Sequence, residues 1–88
     1  MADQNQVIYP QNFDINLIIV AEIPIEEAKQ NISCVLTESK TVHRFVSVRS
    51  SSKGKYLSYT YNVDVESKVH LENTYANLRN IPGLKFAL

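Results

Sequence analysis

Three observations predict an α+β domain whose single four-stranded antiparallel sheet carries two helices on one face. Four segments alternate with a two-residue period, two carry apolar stripes at helical spacing, and their order is β-α-β-β-α-β. A chain of 88 residues accommodates one such domain and leaves no room for a second. Residues 1–6 are polar and amide-rich without periodicity, so a disordered tail is expected ahead of a single domain over 7–88.

From Phe13, the residues Phe13, Ile15, Leu17 and Ile19 alternate with Asp14, Asn16, Ile18 and Val20, as in a strand with one face on a core. The second face begins polar and becomes apolar at Ile18 and Val20. Pro24 suits the first helical position, where its missing N–H costs nothing, and Glu26 and Glu27 favour the positive end of the helix dipole. Ile25, Ala28, Ile32, Val35 and Leu36 then form the expected buried stripe, with Cys34 turned outward. Thr41 to Arg49 is rich in β-branched and aromatic residues and reads as a strand of impure alternation. The polar run Ser50 to Lys55, with its glycine, connects a hairpin.

The third strand has the clearest alternation: Leu57, Tyr59, Tyr61, Val63 and Val65 toward the helices, Ser58, Thr60, Asn62 and Asp64 away from them. Ser67 is placed to cap the second helix, whose stripe is Leu71, Thr74, Tyr75, Leu78 and Ile81, and Pro82-Gly83 is expected to end it. Leu84, Phe86 and Leu88 alternate with Lys85 and Ala87 in a last strand. Right-handed crossings put both helices on one face, and the hairpin makes the second and third strands antiparallel neighbours. The compact solution is the ferredoxin-like sandwich, with the first strand between the third and fourth. Its uncovered face or an edge strand offers a route to a homodimer.

The block Ser51-Ser52-Lys53-Gly54-Lys55-Tyr56, followed by Ser58, Tyr75, Leu78, Ile81 and Leu88, resembles the signature of the YbeD-like family of small uncharacterised bacterial proteins. Tyr9-Pro10 with Phe13 is similar to that family's aromatic-proline entry, and the resemblance covers residues 8–88. It implies a fold akin to the ACT regulatory domains of amino-acid metabolism. Where the family often has Lys and Gly in the first strand, this chain has Asn16 and Ile19. The turn Ala21-Glu22-Ile23-Pro24 lacks the glycine that lets backbone N–H groups approach a carboxylate in amino-acid-binding ACT domains. Docking on a partner protein is therefore favoured over direct sensing of a small effector.

Nine basic residues balance nine acidic ones, which weakens the long-range attraction that supports nucleic-acid binding and leaves an RNA-binding domain as the least favoured alternative. Tyr59 and Tyr61 are moreover assigned to the helix side, away from any base-stacking platform. The segment Ile15 to Ile25 is too short and too interrupted to span a bilayer, and the first residues lack the basic and apolar parts of a secretory signal. One cysteine cannot form an internal disulfide, so a cytoplasmic location is expected. His43 and His70 lack metal-site spacing, and neither a cofactor nor enzymatic activity is expected. The candidate site for a partner or an anion is the hairpin loop: Ser51, Ser52, Lys53, Gly54, Lys55 and Tyr56. It is not a P-loop, because it joins two strands and lacks the glycine-lysine spacing.

Overall fold

The structure, a computed structural model, describes residues 10–50 and 53–87; the tail expected over 1–6 lies outside them. The elements are β1 (Gln11–Val20), α1 (Ile25–Glu38), β2 (Val42–Ser50), β3 (Tyr56–Val65), α2 (Lys68–Leu78) and β4 (Leu84–Ala87). The sheet runs β2-β3-β1-β4 with each neighbouring pair antiparallel, which is the ferredoxin-like order. No helix among the described residues is long and apolar enough to cross a membrane.

Period-two alternation places the core. Ile15 pairs with Tyr61 and Leu17 with Tyr59, so these four side chains share one face. They are buried together with Ala28, Ile32 and Leu36 of α1 and Leu78 of α2. Both tyrosines therefore point at the helices, and no aromatic pair from β3 is available on the open face.

Two strands depart from simple alternation, each through one extra residue. In β2, Phe45 pairs with Tyr61 but Ser47 already pairs with Thr60, so Val46 bulges out and is 51% exposed. The bulge is why the sequence of β2 looks impure: His43 and Phe45 before it, and Val48 after it, all lie on the helix side. In β4, Leu84 pairs with Ile19 and Phe86 with Ile18, leaving Lys85 as the extra residue. Leu84 and Ala87 pack on the core and Phe86 faces out, which corrects the expectation that Leu84 and Phe86 share a face.

The helix ends also shift. Pro24 is the N-cap of α1 rather than its first helical residue, and its carbonyl accepts from Ala28 N–H at 2.9 Å. Ile25, expected in the buried stripe, is exposed, because a side chain in the first turn leans back past the helix start. The stripe begins at Ala28. Ser67 caps α2 by accepting from His70 N–H at 3.0 Å. That helix ends at Leu78, before the expected Pro82-Gly83 stop, and Ile81 is buried from the turn that follows.

Candidate functional site

The hairpin loop is held at one end of the sheet by its backbone. Lys55 C=O accepts from Ala21 N–H at 2.9 Å, and Gly83 C=O accepts from Val20 N–H at 3.0 Å. Three turns thus meet there: β1–α1, β2–β3 and α2–β4. Of the sequence candidates, Lys53, Gly54, Lys55 and Tyr56 are brought to this junction, while Ser51 and Ser52 lie outside the described residues. Gly54 and Gly83 both have left-handed backbone (φ 69° and 76°), which glycine adopts without a steric penalty.

The strand register shows what adjoins the loop. On the open face Val20 pairs with Tyr56 and Ile18 with both Ser58 and Phe86, which gathers an apolar corner. Arg49 pairs with Ser58 beside it, Lys85 sits in β4, and Lys53 and Lys55 stand in the loop. This end is apolar and mainly basic, with one exposed carboxylate, Glu22, in the β1–α1 turn.

The far end of the same face is polar and acidic. Asn12 Nδ2–H donates to Asn62 at 2.7 Å and to Asp64 at 2.6 Å, and Asn62 Nδ2–H donates to Asp14 at 2.9 Å. Arg44 donates to Asn62 and, at 3.0 Å, to Asp64, which is the one ion pair among the described residues. Hydrogen bonds from Asn12 and Arg44 hold the Asp64 carboxyl below its ordinary 3.8. These charges are already spoken for, whereas no described carboxylate pairs with Arg49, Lys53, Lys55 or Lys85. A neutral chain therefore carries a polarised face, which composition alone conceals.

A second feature lies on the helix side, between α1 and the edge strand β2. Glu26, Lys29, Gln30 and Ser33 follow one helical face and line an open groove of about 540 Å³ with His43, Phe45 and Tyr61. Lys29 Nζ lies 4.1 Å above the Phe45 ring, a cation–π contact. Ser33 Oγ lies 3.0 Å from His43 Nε2. Burial, the Tyr59 hydroxyl and Glu26 together push Tyr61 up to about 12. Ser33 carries no mark in the sequence, and His43 stands out there only as a histidine without metal-site spacing. A serine inside a helix and a histidine in a strand follow no spacing rule, because their contact depends on where α1 lies against the sheet edge.

The other titratable candidates have structural surroundings. His70 Nδ1 accepts from Glu66 N–H at 3.1 Å, and its Nε2 lies 3.0 Å from both Thr41 Oγ1 and the Ser39 carbonyl. Cys34 is exposed, with its thiol 3.9 Å from Glu38. No group of three metal-ligating side chains occurs among the described residues.

Comparison with known proteins agrees with this architecture. A 41-residue stretch is 49% identical to a UPF0250 protein of Shewanella oneidensis, and a 38-residue stretch is 53% identical to one of Shewanella amazonensis. These matches cover 47% and 43% of both chains, so the chain spans about half the length of these curated relatives in each match. Among solved structures, protein HP0495 of H. pylori superposes with a TM-score of 0.71 at 13% identity, over 99% of this chain and 90% of that one. The ACT domain from GTP pyrophosphokinase of Chlorobium tepidum gives 0.64 at 12% identity, over 91% and 97%. At these identities the likeness concerns the fold, which is ACT-like. The DUF493 model, described as a protein of unknown function, matches residues 4–88, and with the UPF0250 relatives this places the chain in the DUF493 (YbeD-like) family.

Proposed function

We propose that the protein is a regulatory or adaptor module that docks on a partner protein, a metabolic enzyme of the cytoplasm, through the loop end of its sheet. The observation that carries this reading is the segregation of charge. Arg49, Lys53, Lys55 and Lys85 gather at the end of the sheet that carries the apolar corner of Ile18, Val20 and Phe86, against the single carboxylate Glu22 of the adjoining turn, while Asp14 and Asp64 are held at the opposite end. Such a surface complements a partner segment in which acidic residues flank one or two apolar side chains.

The test is cross-linked capture from native lysate by the wild type and by a Lys53→Glu/Lys55→Glu variant, each at low and high salt. A partner retained by the wild type, weakened by salt and lost by the variant is the expected result. Identical capture by both chains overturns the loop as the docking site. The same corner also suits a second copy of the chain, and light scattering at micromolar concentration then gives twice the 10.0 kDa chain mass.

The ACT-like fold and the aromatic-walled groove favour one further reading, a small-effector sensor. A metabolite that raises Tm in proportion to the logarithm of its concentration supports it.

A further inference from the structure

The groove between α1 and β2 holds a serine–histidine pair in a defined protonation pattern. His43 Nδ1 lies 2.9 Å from the Thr41 carbonyl oxygen, and its Nε2 lies 3.0 Å from Ser33 Oγ. A carbonyl oxygen only accepts, so with the imidazole neutral the Nδ1 carries the proton and Nε2 presents its lone pair to the Ser33 hydroxyl. An imidazole removes the proton of an attacking serine in this orientation. The Thr41 carbonyl does the orienting that a buried carboxylate performs in a Ser-His-Asp triad.

The surroundings supply further parts. Lys29, its ammonium over the Phe45 ring, and Gln30 stand one turn before Ser33 on the same helical face and line the same groove, and both carry N–H groups of the kind that stabilise an oxyanion. The rings of Phe45 and Tyr61 provide an apolar wall. The groove is open, so a small substrate has access to it.

We propose that Ser33 is a nucleophile activated by His43 that accepts acyl groups from small activated esters or thioesters. The Ser33 Oγ–carbon bond forms as the hydroxyl proton passes to His43 Nε2. The bond from the acyl carbon to the leaving alkoxide or thiolate then breaks, and that group departs with the proton from Nε2. Water, activated by the same imidazole, hydrolyses the acyl-serine by the reverse roles. No oxidant, reductant or metal enters the step. This activity is independent of the docking surface, which lies at the loop end.

A fluorophosphonate probe tests the proposal, with intact mass and peptide mapping as the readout and p-nitrophenyl acetate as a second substrate. The folded wild type is expected to take up one equivalent at Ser33, and Ser33→Ala none. His43→Asn keeps an N–H for the Thr41 carbonyl but has no base, and is expected to label at least ~100-fold more slowly. Should that variant unfold, the comparison is the wild type in urea, where Ser33 labelling must fall by a similar factor. No Ser33 adduct on the folded wild type, an unchanged rate in folded His43→Asn, or equal labelling in urea overturns the proposal.

Discussion

Phe86 stands opposite Ile18 on the uncovered face of the sheet, although it lies two residues after Leu84, which faces the core. The extra residue Lys85 turns the strand over between them. The two apolar side chains therefore differ in stability cost. Phe86→Ser, at a half-exposed position, is expected to cost about 1 kcal/mol, and Leu84→Ser at least ~1 kcal/mol more. Urea midpoints at constant m-value give both numbers, and equal costs contradict the bulge.

The same relationship shows which parts of the fold were legible in the sequence. β1 and β3 were, because ten-residue strands buried on one face repeat their period several times. The faces of Tyr59 and Tyr61 followed from that period. Bulges at Val46 and Lys85 were not legible, since one unpaired residue has no compositional mark and only a partner strand reveals the slip. Of the candidate site, the lysines and Gly54 were legible as a loop. Ile18 and Val20 were legible as an apolar end of the uncovered face, but only the register brought Phe86 beside them, and the Ser33–His43 contact needed the helix to be placed on the sheet.

Lys40 closes α1 with left-handed backbone (φ 56°), while its N–H donates to the Thr37 carbonyl and Thr41 N–H to that of Leu36. A side chain at such a position costs about 1 kcal/mol that glycine avoids, partly offset by the greater freedom of glycine in the unfolded chain. Lys40→Gly is expected to stabilise by about 0.5 kcal/mol, read as a Tm rise of a few degrees.

The two glycines separate conformational strain from steric strain. A Cβ at Gly54 would meet nothing within 4 Å, whereas one at Gly83 would lie 2.8 Å from Val20 Cγ2 and collide with Ile23 as well. Gly54→Ala is expected to cost about 1 kcal/mol from its backbone alone, and Gly83→Ala at least ~2 kcal/mol. Thermal melts of both variants check the order, and a reversed order contradicts the packing of the α2–β4 turn on β1.

Two groups give opposite pH signatures. Asp64 has a folded value below 3.8, so its contribution is present above that pH and is lost as pH falls through the folded value. Asp64→Asn is expected to flatten the acid limb of stability against pH. Tyr61 is raised from 10.0 to about 12, so the folded chain keeps it neutral while the unfolded chain ionises. Its contribution is complete below pH 10 and is lost between 10 and 12, on the order of 2 kcal/mol, and Tyr61→Phe removes that loss. Chemical denaturation across both ranges tests the pair.

His70, Thr41 and Thr74 form a chain of hydrogen bonds whose direction is fixed at both ends. Glu66 N–H donates to His70 Nδ1, so with a neutral ring His70 Nε2 carries the proton and donates toward Thr41 Oγ1 and the Ser39 carbonyl. At the other end Thr74 Oγ1 donates to the His70 carbonyl at 2.8 Å, which leaves its oxygen to accept from Thr41 at 3.0 Å. Thr41 and Thr74 are both buried, so water does not readily replace a lost partner. Thr74→Val keeps the shape of the side chain but removes the donor to the His70 carbonyl and the nearer acceptor of the Thr41 hydroxyl, which keeps only the Ser39 carbonyl at 3.4 Å. It is expected to cost about 1–2 kcal/mol. Adding Thr41→Val removes the hydroxyl left with only the longer bond to Ser39, so the double variant should lose less than the sum of the singles, with a coupling of at least ~0.5 kcal/mol. Strict additivity in this double-mutant cycle would show that the two hydroxyls do not bond across the junction of α1, β2 and α2.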